Sequence, residues 1–380
     1  MAEPAYFDRV PAGIRGLAPY QPGMPIDELR RRMGVADVIK LASNENPLGC
    51  SASVHEAIRH PGSLALYPDG GGFALKAKLA AFHDVSPEQI TLGNGSNDLL
   101  EFVARVFLGP GRAAMYSQHA FAVYPLATAA QNAPAIEVPA RPADAPDAYG
   151  HDLEGFARAL NDDVAVVFVA NPNNPTGTCL PAGQFAAFMQ EVPAKTIVVL
   201  DEAYWDYQAP ETRPDINALL ARYPNLLVTR TFSKIYGLAA LRLGYGLSHP
   251  DLADLLNRVR QPFNNNTLAL LAGEAALDDQ AFVEASVALN ARERSRLHEA
   301  FLARGLGVLD SHANFLAVDC GRDAAPIHQG LLASGVIVRP MASYAMPHFL
   351  RITVGTAEQN DRLLQALDVV LAKAPASTEA

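Results

Sequence analysis

Short apolar runs, each closed by glycine, proline or polar residues, recur through the middle of this chain. Residues 164–170 and 196–200 are unbroken apolar stretches, the pattern of parallel strands buried on both faces. Residues 226–229 and 243–247 continue the series, and residues 90–92 and 113–117 begin it. Helical periodicity falls between them, at residues 73–82 and 97–107. This alternation predicts an α/β fold, a doubly wound sheet with helices on both sides. After about residue 266 the pattern changes. A long helical stretch at residues 284–304 precedes three short apolar runs, at 314–318, 336–338 and 350–354. These predict a smaller α+β domain. Thr356-Ala357-Glu358-Gln359 reads as a capping box opening the last helix. Residues 1–40 are rich in Pro and Gly and predict an extended arm, a short helix and a solvated face at Arg30-Arg31-Arg32. Residues 139–150 predict a polar loop. The expected division is an arm with part of the small domain at 1–40, a large domain at 41–265 and a small C-terminal domain at 266–380.

Composition narrows the classes. The chain has 380 residues, 49% apolar and 18% charged, enough for a sizeable core. A net charge of −10 argues against nucleic acid as a partner. No apolar run reaches membrane-spanning length, and Met1-Ala2-Glu3-Pro4 lacks the regions of a signal peptide. Cys50, Cys179 and Cys320 are far apart and odd in number, which suits a reducing cytoplasm better than a disulfide framework. The ten histidines show no metal-ligand spacing, so no metal is expected.

Candidate chemistry sits where the apolar runs end. Lys234 follows one of them within Thr231-Phe232-Ser233-Lys234, and Arg242 follows eight residues later. A lysine at the end of a buried strand, among phosphate-binding residue types, suggests an amine kept neutral enough to form a Schiff base. Asp201 ends another run, where a carboxylate could keep a ring nitrogen protonated or merely cap a helix. Gly93-Asn94-Gly95-Ser96-Asn97 turns from a strand into a helix, and free N–H groups there favour an anion. The same glycines equally serve a tight turn. Tyr204 and Asn174 could each serve a phenolic oxygen, although Asn-Pro and Pro-Thr-Gly are also turn formers. Arg351 lies inside an apolar strand, where a carboxylate or phosphate, or an internal salt bridge, would compensate its charge. Arg339 ends another strand and is a second guanidinium candidate.

In this order, these pieces resemble the fold-type I aminotransferases that depend on pyridoxal 5'-phosphate, across the whole chain. Finer features resemble the histidinol-phosphate aminotransferase branch. They include Leu41-Ala42-Ser43-Asn44-Glu45-Asn46-Pro47, Tyr67-Pro68-Asp69-Gly70, Asn171-Pro172-Asn173-Asn174-Pro175-Thr176-Gly177, Leu241-Arg242-Leu243-Gly244-Tyr245 and Leu350-Arg351-Ile352-Thr353-Val354-Gly355-Thr356. The resemblance implies that Lys234 carries the cofactor and shuttles a proton. It implies that Asp201 pairs with the pyridine nitrogen, and that Asn174 and Tyr204 contact the phenolic oxygen. Gly95, Ser96, Asn97, Thr231, Ser233 and Arg242 would hold the phosphate, and Phe121 would stack on the ring. Tyr67 would reach the phosphate of a neighbouring subunit's cofactor, making a homodimer with composite sites. Arg351, Arg339, Asn174 and a partner-chain Tyr20 would bind substrate. The implied reaction converts histidinol phosphate and 2-oxoglutarate to imidazole-acetol phosphate and glutamate. Rivals on the same scaffold are an aromatic aminotransferase and a decarboxylase or lyase. A non-catalytic regulator is a fourth reading, against which stand the intact Lys234 and an arm with no room for a helix-turn-helix. Departures from the branch are Ser117-Gln118-His119 ahead of Phe121, Ala345-Met346-Pro347, and a polar run, Asn264-Asn265-Asn266, near the expected substrate entrance.

Overall fold

The computed structural model describes residues 5–19 and 23–373. The first strand, β1 (Ile39–Lys40), belongs to a minor two-stranded sheet. A seven-stranded sheet follows, built from β2 (Ile90–Gly93), β3 (Ala113–Ser117), β4 (Ala135–Val138), β5 (Val164–Ala170), β6 (Ile197–Asp201), β7 (Leu226–Thr231) and β8 (Gly244–Ser248). Its spatial order is β2-β8-β7-β6-β5-β3-β4. Every pairing is parallel except those of β8, which is antiparallel to both β2 and β7. The reason is local. Parallel neighbours need a long crossover, and residues 232–243 between β7 and β8 hold only the short turn Ala239–Leu241.

The central strands are Val- and Leu-rich and buried along their length. Period-two alternation divides them between two cores. Val166 and Phe168 pack with Leu99, Phe102 and Val103 on one face. Val167 and Val169 pack with Phe185, Phe188 and Leu219 on the other. The carboxyl ends of β5, β6 and β7 come out side by side, with Ala170 opposite Asp201 and Asp201 opposite Thr229.

The second lobe is an antiparallel sheet in the order β12-β13-β10-β9. Its strands are β9 (Gly307–Val308), β10 (Phe315–Asp319), β12 (Arg339–Pro340) and β13 (Phe349–Thr353), while β11 (Val336–Ile337) pairs in parallel with β1. Helices Gln280–Leu302, Ala325–Ala333 and Ala357–Lys373 cover it through Leu297, Phe301, Leu331 and Leu363. The capping box forms: Thr356 N donates to Gln359 Oε1 at 2.9 Å and Gln359 N to Thr356 Oγ1 at 3.3 Å.

Three details differ from the sequence expectation. The apolar run 336–338 yields only the two-residue β11, and the small sheet's β12 begins after it at Arg339. The arm is not simply extended, because Ala5–Arg9 and Ala12–Arg15 are helical turns ahead of the helix Ile26–Met33. Strand β4 is an edge strand, half exposed, whose Ala-Ile-Glu-Val sequence gives periodicity little to register. The Arg30, Arg31 and Arg32 side chains are exposed and pair with Asp27 and Glu28 of their own helix. Among the described residues, no helix is long and apolar enough to cross a membrane.

Candidate active site

A cleft of about 210 Å³ opens where the carboxyl ends of the central strands face the second lobe. It is lined by Ser96, Asn97, Phe121, Asn174, Asp201, Tyr204, Thr231, Ser233, Lys234, Arg242, Arg339 and Arg351, gathered from segments spread over 256 residues of chain. Gly95 adjoins it. Tyr67 does not: it is 82% exposed and stacks on Phe263, with ring centroids 4.6 Å apart. Tyr20 lies outside the described residues. The Asn264-Asn265-Asn266 run does not itself line the cleft. Asn264 and Asn265 donate to Leu92 O and Gly93 O at the glycine turn, and Asn266 to Leu241 O beside Arg242.

The anion end of the cleft is set by backbone geometry. Gly95, at φ 83°, ends the turn and opens helix Ser96–Phe107. A Cβ at Gly95 would stand 2.6 Å from Arg242 Nη2, so only glycine lets the guanidinium approach the helix start. Arg242 Nη1 donates to Ala239 O at 3.0 Å and to Ser233 Oγ at 3.4 Å. Ser233 N in turn donates to Thr231 Oγ1 at 3.1 Å. Hydroxyls, a guanidinium and a helix N-terminus therefore converge at one point, the donor set of a phosphate site.

Lys234 Nζ donates to Ser43 O at 3.0 Å. Burial lowers its pKa to about 7, and the nearby charge of Arg351 adds to the effect. The amine is therefore substantially neutral at physiological pH. Asp201 lies at the end of β6 and is 5% exposed. It accepts hydrogen bonds from Tyr124 Oη at 2.9 Å and Thr229 Oγ1 at 3.2 Å. Burial pushes its carboxyl above the usual range, against the pull of these hydroxyls. It caps no helix; the short turn Trp205–Tyr207 that follows starts from Tyr204. Tyr204 is buried, its hydroxyl accepts from Asn44 Nδ2 at 2.8 Å, and desolvation pushes that hydroxyl to about 12.

Arg351 reaches the cleft from β13, directly opposite Arg339 on β12. It donates to Asn174 Oδ1 and to Ala42 O, the latter at 2.9 Å, and lies 5.3 Å from the Phe315 ring. Its Nε is buried with no hydrogen-bond partner. The internal salt bridge considered from sequence is absent from these contacts, which are to neutral oxygens.

Sequence reasoning missed several members of the site. Tyr124 lies on helix Val123–Ala130, buried beneath Phe121 and stacked on Phe168 at 4.8 Å. Asn44, at φ 57°, links Tyr204 to the second lobe, since its N–H donates to Thr353 Oγ1 at 2.9 Å. Asn tolerates that left-handed backbone, but nothing in the flanking sequence marks the role. Tyr344 also lines the cleft.

Known proteins resemble this chain over nearly its whole length. Histidinol-phosphate aminotransferase 2 of Pseudomonas aeruginosa is 54% identical over 363 residues, 95% of this chain and 97% of that protein. Histidinol-phosphate aminotransferase 1 of Thiobacillus denitrificans is also 54% identical, over 96% of this chain and 94% of its own. Among solved structures, histidinol-phosphate aminotransferase from Sinorhizobium meliloti in complex with pyridoxal-5'-phosphate superposes with a TM-score of 0.87. It shares 32% identity, covering 97% of this chain and all of that one. Aspartate aminotransferase from Thermus thermophilus shares the fold, with a TM-score of 0.78 at 24% identity over 92% of this chain and 94% of that one. Residues 36–367 match the pattern of aminotransferase class I and II, and the chain belongs to that family.

Proposed function

We propose that this chain is a pyridoxal 5'-phosphate-dependent aminotransferase. It converts histidinol phosphate and 2-oxoglutarate to imidazole-acetol phosphate and glutamate, in histidine biosynthesis. One observation carries the reading: a lysine amine near neutrality and a buried carboxylate bonded only by neutral donors share a cleft with a buried arginine.

The residues present fit the cofactor. The cradle at Gly95 would be filled by any Cβ, and its donors suit a phosphate. Ser96, Asn97, Thr231, Ser233 and Arg242 would hold that group, and Phe121 would cover the ring. Asn174 and Tyr204 would face the ring oxygen. When bound, pyridoxal phosphate supplies an aldehyde that takes up the amino group and a ring that withdraws electrons. Asp201 would keep a proton on the ring nitrogen, and Tyr124 and Thr229 hold its carboxylate in place. Lys234 Nζ would anchor the cofactor and, once freed by substrate, would serve as the base for the substrate's Cα proton. Arg351 forks onto the substrate's anion, and the same fork accepts a carboxylate or a phosphate.

The choice of histidinol phosphate is supported by the names of the relatives and by Arg339 lying opposite Arg351. Two guanidiniums suit a dianion better than a lone carboxylate. Steady-state kcat/KM for histidinol phosphate and for phenylalanine, with 2-oxoglutarate as acceptor, tests the substrate. Histidinol phosphate should win. A preference for phenylalanine would make this an aromatic aminotransferase.

We also infer a cytoplasmic homodimer divided into the large and small domains set out above. Leu64, Leu66, Tyr67 and Phe73 are each more than 70% exposed, and a second copy would cover them. Tyr67 would then serve the partner's phosphate. Mixing Tyr67→Phe with Lys234→Ala protein should regenerate hybrid dimers with one intact site. An active monomer in sedimentation would refute the dimer.

A further inference from the structure

Asn264, Asn265 and Asn266 join helix Pro250–Val259 to helix Thr267–Asp278, and none of them lines the cleft. Each amide reaches into one of the two loops that build the anion cradle. Asn264 Nδ2 donates to Asp98 Oδ2 at 3.0 Å and, at 3.4 Å, to Leu92 O. The same Asp98 oxygen accepts Asn94 N at 2.8 Å. Asn265 Nδ2 donates to Gly93 O at 2.7 Å. That carbonyl also accepts Gly95 N at 2.8 Å, the bond that closes the glycine turn. Asn266 Nδ2 donates to Leu241 O at 3.2 Å, next to Arg242, whose backbone is at φ 56°.

Side-chain amides commonly tie down irregular backbone, and a loop tie is the plain reading. Two observations go further. The three consecutive amides hold both halves of one cradle: the turn carrying Gly95 and the turn carrying Arg242. In addition, Asn265 is 3% exposed and its Oδ1 is buried without a partner. Donation to Gly93 O holds the amide in that orientation, because turning it over would set oxygen against oxygen.

We propose that Asn264, Asn265 and Asn266 are positioning residues that brace the phosphate cradle. They fix the glycine turn and the Arg242 turn relative to each other, so that the N–H groups at the helix start and the guanidinium converge on one anion. The proposal rests on the cofactor reading above.

The test compares two ligands on the full chain stripped of cofactor: pyridoxal 5'-phosphate and pyridoxal, which lacks the phosphate. Dissociation constants are read from the absorbance of the bound form. Asn265→Ala should weaken pyridoxal phosphate about tenfold, the weight of a charge-assisted contact, and pyridoxal by less than about twofold. Asn265→Asp cannot donate and should not rescue. Asn266→Ser keeps a hydroxyl to accept from Ala269 N, as Asn266 Oδ1 does at 2.9 Å, but loses the donor to Leu241 O. It should show a smaller loss with the same selectivity, and it remains informative if the Asn265 variants fail to fold. Equal weakening of both ligands, or of neither, overturns the brace. A wild-type protein with no preference for the phosphorylated form overturns the cradle itself and the brace with it.

Discussion

The carboxyl ends of β6 and β7 carry buried charge on both sides of the sheet, and the two sides treat it differently. On the side away from the cleft, Glu202 and Arg230 form an ion pair, with Nε and Nη2 at 2.9 and 2.8 Å from Glu202 Oε2. Arg230 also stacks on Trp205 at 3.8 Å. Burial opposes the charge on Arg230, yet the Glu202 carboxylate outweighs it and holds the guanidinium above its usual range. On the cleft side, one residue along each strand, Asp201 is bonded by the Tyr124 and Thr229 hydroxyls, and Arg351 by an amide oxygen and a carbonyl. Desolvating a charge is costly unless an opposite charge or a ligand answers it. The far side therefore carries its own counter-charge, although burial still raises the Glu202 carboxyl and leaves its Oε1 without a partner. The cleft side is arranged for charges that arrive with cofactor and substrate.

Lys234→Ala should break this contrast most severely. Turnover should fall by about 10²–10⁴-fold or more, the weight of a positioned acid–base group. Borohydride treatment of wild-type protein should trap the cofactor on the peptide containing Lys234. A label on any other lysine would remove Lys234 from its role.

The two neighbouring carboxylates should respond in opposite ways. Glu202→Gln removes the carboxylate bonded to Arg230, leaving only the more distant charge of Asp206, and should cost up to roughly 3–5 kcal/mol in denaturant unfolding. Asp201→Asn removes a charge that burial disfavours, and the hydroxyls of Tyr124 and Thr229 can rotate to suit an amide. The cofactor-free variant should be as stable as wild type, or more so, while turnover collapses. The sign follows from linkage. The Asp201 carboxyl is raised in the fold, so its charge becomes costly as pH rises through the carboxylate range. The stability difference from wild type should therefore vanish in acid. Wild-type turnover in Asp201→Asn would make that residue a structural partner like Glu202.

Arg339→Ala tests whether the second guanidinium belongs to the substrate. Charge-assisted contacts contribute roughly 1.5–3 kcal/mol, or about ten- to a hundredfold. kcat/KM for histidinol phosphate should drop by that factor, and for phenylalanine by much less. Equal losses would assign Arg339 to the fold.

The contrast also explains what could be read from the sequence. Asp201, Lys234 and Arg351 stand out locally, because a charge placed at or inside an apolar run breaks its pattern. Strands β5 and β6 were legible for the same reason: runs buried on both faces carry no polar residue before the strand's last position. Tyr124 and Asn44 carried no such signal. Their hydrogen bonds to Asp201 and Tyr204 span 77 and 160 residues of chain, and nothing in the flanking sequence encodes those partners. The pairing of Glu202 with Arg230 was hidden likewise, since only strand register brings them together. The antiparallel sense of β8 follows from a short connection, a feature of chain length rather than of hydrophobic period.

The smallest expected effect concerns pH and sharpens the comparison within the cleft. With its pKa lowered to about 7, Lys234 should be about one-tenth neutral at pH 6 and about nine-tenths neutral at pH 8. The rate at which cofactor-free protein takes up pyridoxal phosphate should rise about tenfold across that window, because only the neutral amine attacks the aldehyde. Burial is the main cause of the shift and the charge of Arg351 the second. Arg351→Met keeps the site apolar but removes the charge, so the inflection should move to higher pH without reaching the value of a free lysine. Stopped-flow absorbance over pH 5.5–10 measures both curves. A wild-type inflection near that of an ordinary lysine would mean that the cleft does not desolvate the amine. An inflection unmoved by Arg351→Met would mean that burial alone sets it, and the unanswered charge of Arg351 would then concern only the substrate.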